Sequence, residues 1–245
     1  MKKYPVLYSC LIIVAVWTVA YLALNKSFMP SPYQTVLYLG THLSLISLHL
    51  LASFYRILVA ILITAVLGSA TGMLTARSKA VDAWLSPLLY TLYPIPKIAF
   101  LPLLMLFLGL GNLSKIALVC LILFFQIALS IRDSVKAIPP SYFLAIKSLG
   151  SSKSQVYQHV ILPAIVPGLF TSLRISVGTS ISVLFFAENF ATEYGIGYFI
   201  MDSWLKLDYT GMFAGIVAIS FMGGALFGLL DFMESRLCRW RQPNI

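Results

Sequence analysis

The sequence predicts an all-α, polytopic membrane bundle of about six transmembrane helices. Three observations carry this. Of the 245 residues, 60% are apolar and only 10% charged, with a mean hydropathy of +0.91. Six apolar runs, approximately 7–24, 56–76, 84–108, 115–131, 168–187 and 210–232, are long enough, or nearly so, to cross a hydrocarbon layer, which takes about 20 helical residues for ~30 Å. The basic residues gather in alternate connections between those runs. A soluble domain of average composition carries roughly 25% charged residues, so this chain lacks the polar groups to cover a globule, and its outer surface must face lipid. Composition therefore excludes a soluble enzyme, a disordered segment and a disulfide scaffold. The net charge of +9 reads as basic residues on cytoplasmic loops, not as a nucleic-acid surface. We read the whole of 1–245 as one transmembrane domain, with 7–24 an anchor helix and 56–232 the core bundle.

Taken in order, the first run follows Lys2 and Lys3 but is not succeeded by a small-x-small cleavage site (Leu22-Ala23-Leu24-Asn25). It therefore reads as an anchor helix and not as a signal peptide. Segment 33–55 mixes Val36, Leu37, Leu43, Ile46, Leu50 and Leu51 with His, Ser and Thr, which predicts an amphipathic helix on the outer surface leading into the second run. The third run holds Pro87, Pro94, Pro96 and Pro102. Each removes a backbone donor, and broken backbone survives in lipid only where protein or water re-satisfies it, so this run is expected in the bundle interior. In the last run, Gly223, Gly224 and Gly228 are expected to permit close helix packing. The cysteines Cys10, Cys120 and Cys238 read as small buried hydrophobes and not as a bridge or metal site.

Charge sets the orientation. With the N-terminus inside, Lys26, Arg56, Lys115 and Lys206 fall outside and Lys97 and Arg174 within runs, leaving the other eleven of the 17 basic residues in the cytoplasm. This asymmetry favours cytoplasmic N- and C-termini.

The longest cytoplasmic segment, 132–167, reads as two short helices around a glycine. Tyr142, Ala145, Ile146 and Leu149 recur at helical spacing and form one apolar face. Gly150 is placed to take positive φ as the residue after the helix end. Ser152 with Gln155 forms a capping box that starts a second helix, whose apolar face is Val156, Tyr157, Val160 and Ile161 and which Pro163 and Pro167 close. A stiff, exposed hairpin with an uncovered apolar face is suited to a groove in another protein.

These residues resemble a known motif. Ala145, then Gly150, then nine residues to Val160-Ile161-Leu162-Pro163 is similar to the EAA loop of bacterial ABC importer permeases. The likeness extends from about residue 50 to 241, through Arg56, Tyr93-Pro94-Ile95-Pro96-Lys97 with Pro102, Phe107 to Lys115, Ala187-Glu188, Gly195-Ile196-Gly197-Tyr198 and Leu230-Asp231. It is greatest to the sulfonate, nitrate and taurine branch, which also includes permeases for pyrimidine precursors of thiamine. The resemblance implies a type I importer in a bacterial or archaeal cell membrane. Two permease copies form a homodimer around the path, two cytoplasmic ATP-binding subunits hydrolyse ATP, and an external binding protein delivers the solute. It further implies that 140–163 is the coupling loop, with 140–149 the coupling helix and Leu144, Ala145, Ile146, Leu149, Gly150, Val160, Leu162 and Pro163 its working residues. The chain departs from the motif at Leu144, where the family has glutamate, and at Ile146, where it has alanine. Docking is therefore expected through Leu144, Ile146 and Leu149.

No Gly-x-x-x-x-Gly-Lys-Ser/Thr occurs, so no P-loop of its own is expected; neither a cofactor, a catalytic residue nor a metal ligand is expected in this chain. Glu188 ends the fifth run, and an ionisable group at such depth is a functional candidate. It reads either as part of an external gate with the loop 188–209 or as an ion-pair partner of Lys206 or Arg56. Lys97 and Arg174 are candidates for favourable charge along an anion path, or for anchoring at the interface. Gln126, Ser130, Ser176, Thr179, Ser180 and Ser182 are candidates for lining a polar path or for holding helices together. The second functional class, a secondary carrier driven by an ion gradient, lacks the internal repeat that such carriers often show.

Overall fold

A computed structural model describes residues 5–24 and 26–241; Lys2, Lys3 and Asn25 of the sequence argument lie outside them. The described residues are helical with short connections: α1 (Pro5–Leu24), α2 (Pro32–Thr41), α3 (Leu43–Arg77), α4 (Lys79–Leu92), a single 3-10 turn (Lys97–Phe100), α5 (Leu101–Leu108), α6 (Asn112–Lys136), α7 (Pro140–Ser148), α8 (Lys153–Val156), a π turn (Tyr157–Ile161), α9 (Leu162–Glu188), α10 (Ile196–Leu205) and α11 (Tyr209–Leu237), with a closing 3-10 turn (Arg239–Arg241). α3, α6, the continuous rod 153–188 and α11 are each long and apolar enough to span a membrane. α4 with 97–108 forms a fifth, bent passage, and α1 is a shorter apolar helix at the expected anchor position. Five of the six apolar runs thus fall on long passages, the third broken by 86° at residues 93–96, and the first falls on the shorter helix α1.

The helices group into two compact units. One comprises the residues up to Phe54 with Glu188–Met222; the other comprises Tyr55–Ala187 with the residues from Gly223 onward.

In the larger unit α6 is the central helix, with 61% of its apolar window buried against at most 44% for the other long spans. Leu89 of α4 packs on Phe125 and Leu129 of α6. Leu101 of α5 packs on Leu118 of α6 and Ala187 of α9. α3 meets α6 through glycines. A Cβ at Gly68 would lie 3.0 Å from Ile127 Cβ, and one at Gly72 would overlap Ala128 O and crowd Ile131. At Arg132 and Lys136 the same helix holds α4, through ion pairs to Asp82 at 3.0 and 2.5 Å.

In the smaller unit α1 is docked by Trp17, whose indole N–H donates to Pro30 O (3.1 Å) and whose ring stacks on Phe213 at 5.5 Å. α2 opens with a complete capping box, Ser31 with Gln34, and Pro32 in its first turn, where a missing N–H costs nothing. Tyr38 on α2 donates to Asp208 Oδ2 (2.8 Å), and Asp208 Oδ1 in turn accepts from the Gly211 N–H (2.9 Å) in the first turn of α11.

Five expectations need correction. Only 32–41 forms a separate helix; from Leu43 the chain is already α3, an unbroken 35 residues, because its polar His49 and Ser53 are buried with hydrogen-bond partners and do not interrupt it. The proline-rich passage is not enclosed: Trp84, Leu106 and Phe107 are 75–85% exposed in the protomer. Its broken backbone is satisfied from within instead, as described below. Pro163 and Pro167 do not end the second hairpin helix, which continues to Glu188. A π turn directly precedes Pro163, with the Leu162 N–H bonded to Tyr157 O, and this wider turn absorbs the ring that would clash in an α-helix. Of the three C-terminal glycines only Gly223 meets a neighbour, Ile181 at 3.0 Å, while nothing lies within 4 Å of a Cβ at Gly224 or Gly228. Cys238 is buried and Cys120 half-buried as read, but Cys10 is exposed on α1.

The α3–α6 contact yields a prediction. Gly72→Val forces a branched side chain onto the α6 backbone and should destabilise the detergent-purified protein by about 2–3 kcal/mol, read as a lowered Tm. Gly224→Val, with open space around it, should leave Tm unchanged.

Candidate functional sites

The hairpin expected between α6 and α9 is present. Pro139 and Pro140 start α7, which ends at Ser148 with Leu149 as its cap. Gly150 then takes φ +74, a left-handed value that costs a side-chain-bearing residue about 1 kcal/mol or more. Ser152 and Gln155 exchange the two bonds of a capping box: the Gln155 N–H donates to Ser152 Oγ (3.3 Å) and the Ser152 N–H to Gln155 Oε1 (2.8 Å). The second apolar face is covered by the chain itself, with Val160 and Ile161 buried and Val156, Tyr157, Leu162 and Pro163 half-buried. Tyr157 is pinned to the end of α3: its hydroxyl lies 2.9 Å from Met73 Sδ, and the Arg77 guanidinium lies over its ring at 5.6 Å.

α7 divides differently from the sequence reading. Tyr142, Leu144 and Leu149 are 62, 67 and 85% exposed, and Ala145 is exposed beside them. Ile146 is half-buried together with Phe143. Phe143 is the residue that sequence reasoning missed. Its spacing of three from Ile146 is the signal, hidden by counting Tyr142 into the same face.

In the smaller unit, Glu188 is fully buried. Its Oε1 and Oε2 accept from the Ser53 hydroxyl at 2.7 and 2.9 Å, and Oε2 also accepts from the Gly197 N–H at 2.8 Å. Ser53 Oγ accepts from the Ile196 N–H (2.8 Å), and His49 Nδ1 accepts from the Gly195 N–H (3.1 Å). Three successive N–H groups at the start of α10 are therefore taken up by side chains of α3 and by the last residue of α9. Helix N-termini leave such donors unsatisfied and carry partial positive charge, so a carboxylate is favoured there. Gly195 gives α10 no side-chain cap of its own. A Cβ at that position would stand 2.5–2.7 Å from the Glu188 carboxyl group, so glycine is required for space. Because Nδ1 of His49 accepts, the neutral ring carries its proton on Nε2; the ring sits among Tyr194, Tyr198 and Phe199 at 5.4–5.9 Å.

His49 and Ser53 were not singled out in the sequence. They recur with Arg56 at i, i+4 and i+7 on an otherwise apolar helix, a polar stripe that signals a buried partner. Lys206 is held by Asp202 at 2.6 Å, a bond that raises the ammonium's pKa above the usual lysine range. Arg56 donates through Nε to Asn112 Oδ1 at 2.8 Å.

The other two charged candidates have defined partners. Lys97 is buried, and its Nζ donates to Leu92 O (2.9 Å) and Tyr93 O (2.7 Å), the carbonyls freed where Pro94 and Pro96 break the passage. It also lies 4.6 Å from the centre of the Phe125 ring, a cation–π contact. Arg174 bridges Asp231 (2.7 Å) and Glu234 of α11. Among the hydroxyls, Ser176 and Ser180 are fully buried, whereas Thr179 is half-buried and Ser182 exposed, and they donate back to the Ile175 and Gly178 carbonyls.

The start of α10 and the Tyr38 phenol each generate a prediction. Gly195→Ala should displace the Glu188 carboxylate, and Ser53→Ala should remove a hydrogen bond to a buried charge, a loss of about 2 kcal/mol. Both should speed amide hydrogen exchange in 196–199 while leaving α6 protected. Tyr38 has its pKa pushed up to about 12, first by burial and then by its bond to the Asp208 carboxylate. Its native value lies above the unfolded one, so its contribution to stability is complete below about pH 10 and is lost as pH rises through 12. Ultraviolet difference titration should find one phenol ionising near pH 12 that is absent in Tyr38→Phe.

Comparison with known proteins accords with this arrangement. Residues 66–239 match the family model described as binding-protein-dependent transport system inner membrane component. The chain is 33% identical to the taurine transport system permease protein TauC of Escherichia coli over 232 residues, covering 91% of this chain and 84% of that one. It is 28% identical to the formylaminopyrimidine transport permease protein ThiX of Halalkalibacterium halodurans, covering 96% and 94%. Among solved structures, a chain of the inward-facing MetNI methionine ABC transporter superposes with a TM-score of 0.65 at 19% identity, covering 81% of this chain and 97% of that one. With a family model matched over more than half its length and a relative above 30% identity, the chain belongs to the binding-protein-dependent transport system inner-membrane components, the membrane-spanning permease subunits of ABC importers.

Proposed function

We propose that this permease works as a homodimer that imports a small anion, a sulfonate first and nitrate or a related ion next, delivered by an external binding protein and driven by two cytoplasmic ATP-binding subunits. The observation that carries the mechanism is the hairpin 140–163. It is fixed to the bundle through Val160, Ile161 and Tyr157 but leaves Leu144 and Leu149 uncovered at its tip. A helix so held transmits a push to α9 with which it is continuous, and its exposed leucines provide the apolar contact that a partner groove needs. Leu144 takes the place of the family glutamate, so docking here is apolar where a charge contact is usual. Ala145 and Gly150 shape the turn, and Leu162 and Pro163 join it to the span. This reading places the hairpin and both termini on the cytoplasmic side.

The sulfonate reading rests on the likeness to the taurine permease. A second reading, an uncharged formylaminopyrimidine-type heterocycle, is favoured by the match to ThiX along nearly the full length of both chains. We assign Lys97 and Arg174 to holding helices, since their donors already have acceptors. Glu188 we assign to fixing α10 as part of the external gate.

Leu144→Asp and Gly150→Pro should each reduce co-purification of the ATP-binding subunit at least tenfold with helix content unchanged. Wild-type association in both variants rejects the coupling role. In proteoliposomes with the ATPase and binding protein, labelled taurine should enter only with ATP, and an excess of unlabelled formylaminopyrimidine should not compete. Uptake by the permease alone under a proton gradient would select the carrier class.

A further inference from the structure

Behind the hairpin lies a cavity of about 440 Å³ whose rim carries Arg77, Lys136, Lys147 and Lys153 and whose lining contains no Asp or Glu. The four cations come from four elements. Arg77 is the last residue of α3, Lys136 the last of α6, Lys147 lies on α7, and Lys153 opens α8. Lys136 is engaged by Asp82. Among the described residues, no ion pair takes up Arg77, Lys147 or Lys153. Beneath them the walls are apolar: Val135, Ile138, Phe143, Val156 and Ile161.

Such a concentration of like charge is unfavourable without a counter-ion, and its concave shape defines where that ion sits. Two features fix its chemistry. Arg77 and Lys136 mark the ends of two apolar spans, so the rim lies at the level where hydrocarbon gives way to water. Cations above apolar walls match an amphiphile with an anionic head, whereas a soluble anion has no use for the walls. Phe143 and Lys147, one turn apart on α7, face this cavity, while Leu144 and Leu149 remain exposed elsewhere on the hairpin.

We propose that this cavity binds the phosphate head group of an anionic membrane phospholipid, which bridges the hairpin to the inner ends of α3 and α6. Basic pockets between membrane helices on the cytoplasmic side bind such head groups. The inference rests on the cytoplasmic placement of the hairpin proposed above. Head-group identity thereby becomes a property that the hairpin senses: with the lipid in place, Lys147 and Lys153 are neutralised against Arg77 and the hairpin is held to the bundle.

The test uses the assembled importer in nanodiscs containing spin-labelled phosphatidylglycerol or spin-labelled phosphatidylcholine. The motionally restricted fraction should favour phosphatidylglycerol at least fivefold, about the effect of one basic residue near an anionic surface. Arg77→Gln/Lys147→Gln/Lys153→Gln should abolish that preference, and Arg77→Lys/Lys147→Arg/Lys153→Arg should keep it. Equal retention of both lipids by the wild type overturns the proposal, as does a preference that survives the triple Gln change. Millimolar inorganic phosphate should not displace the labelled phosphatidylglycerol; displacement identifies a soluble-anion site and likewise overturns it. An acidic segment of the ATP-binding subunit occupying the cavity would leave the importer indifferent to head group, which is again the refuting result. Orientation is read separately, by labelling Leu149→Cys with a membrane-impermeant maleimide in sealed vesicles, so failure of the lipid site and failure of the cytoplasmic assignment are distinguishable.

Discussion

In a hydrocarbon layer a peptide group that leaves the helical ladder has no water to turn to, and this molecule is organised around the places where it does so. Three of these places have a side chain or a local re-registration assigned to them. Where Pro94 and Pro96 interrupt the third passage, the Lys97 ammonium caps the carbonyls of Leu92 and Tyr93. Where α10 begins without a cap of its own, His49, Ser53 and Glu188 accept its first three donors. Where Pro163 enters a rod that must stay continuous, the π turn 157–161 widens the ladder ahead of it. Two residues that look in the sequence like functional charges, Lys97 and Glu188, thus also solve a backbone problem.

This explains what was legible beforehand. Long apolar runs announce themselves because nothing except a helix satisfies their backbone, so the passages fell where hydropathy placed them. The hairpin was readable because its signals are local: Gly150 for a left-handed turn, Ser152 with Gln155 for a cap. Ser53, which donates to both oxygens of Glu188, lies 135 residues away in sequence, and only the polar stripe on α3 hinted at it. The proline-rich passage was misjudged for the same reason. Four prolines imply that some group must compensate, but not that a lysine within the passage does so and leaves the outer face uncovered.

The hairpin joins two jobs on adjacent surfaces. Its tip presents Leu144 and Leu149, the apolar contact proposed for the engine, and its inward side presents Phe143 and Lys147 to the charged cavity. Side chains one position apart on α7 thus differ in surroundings, with Phe143 half-buried on the cavity and Leu144 exposed.

The way α10 is capped bears on how the chain is made. Its first turn cannot nucleate from its own sequence: Gly195 supplies no acceptor, and the acceptors that do serve it belong to segments synthesised well before it (His49 and Ser53) and just before it (Glu188). A ten-residue helix of this kind is marginal in isolation. Its capping depends on α3 and the end of α9 coming together, so closure of the turn 195–197 requires that two distant segments have met.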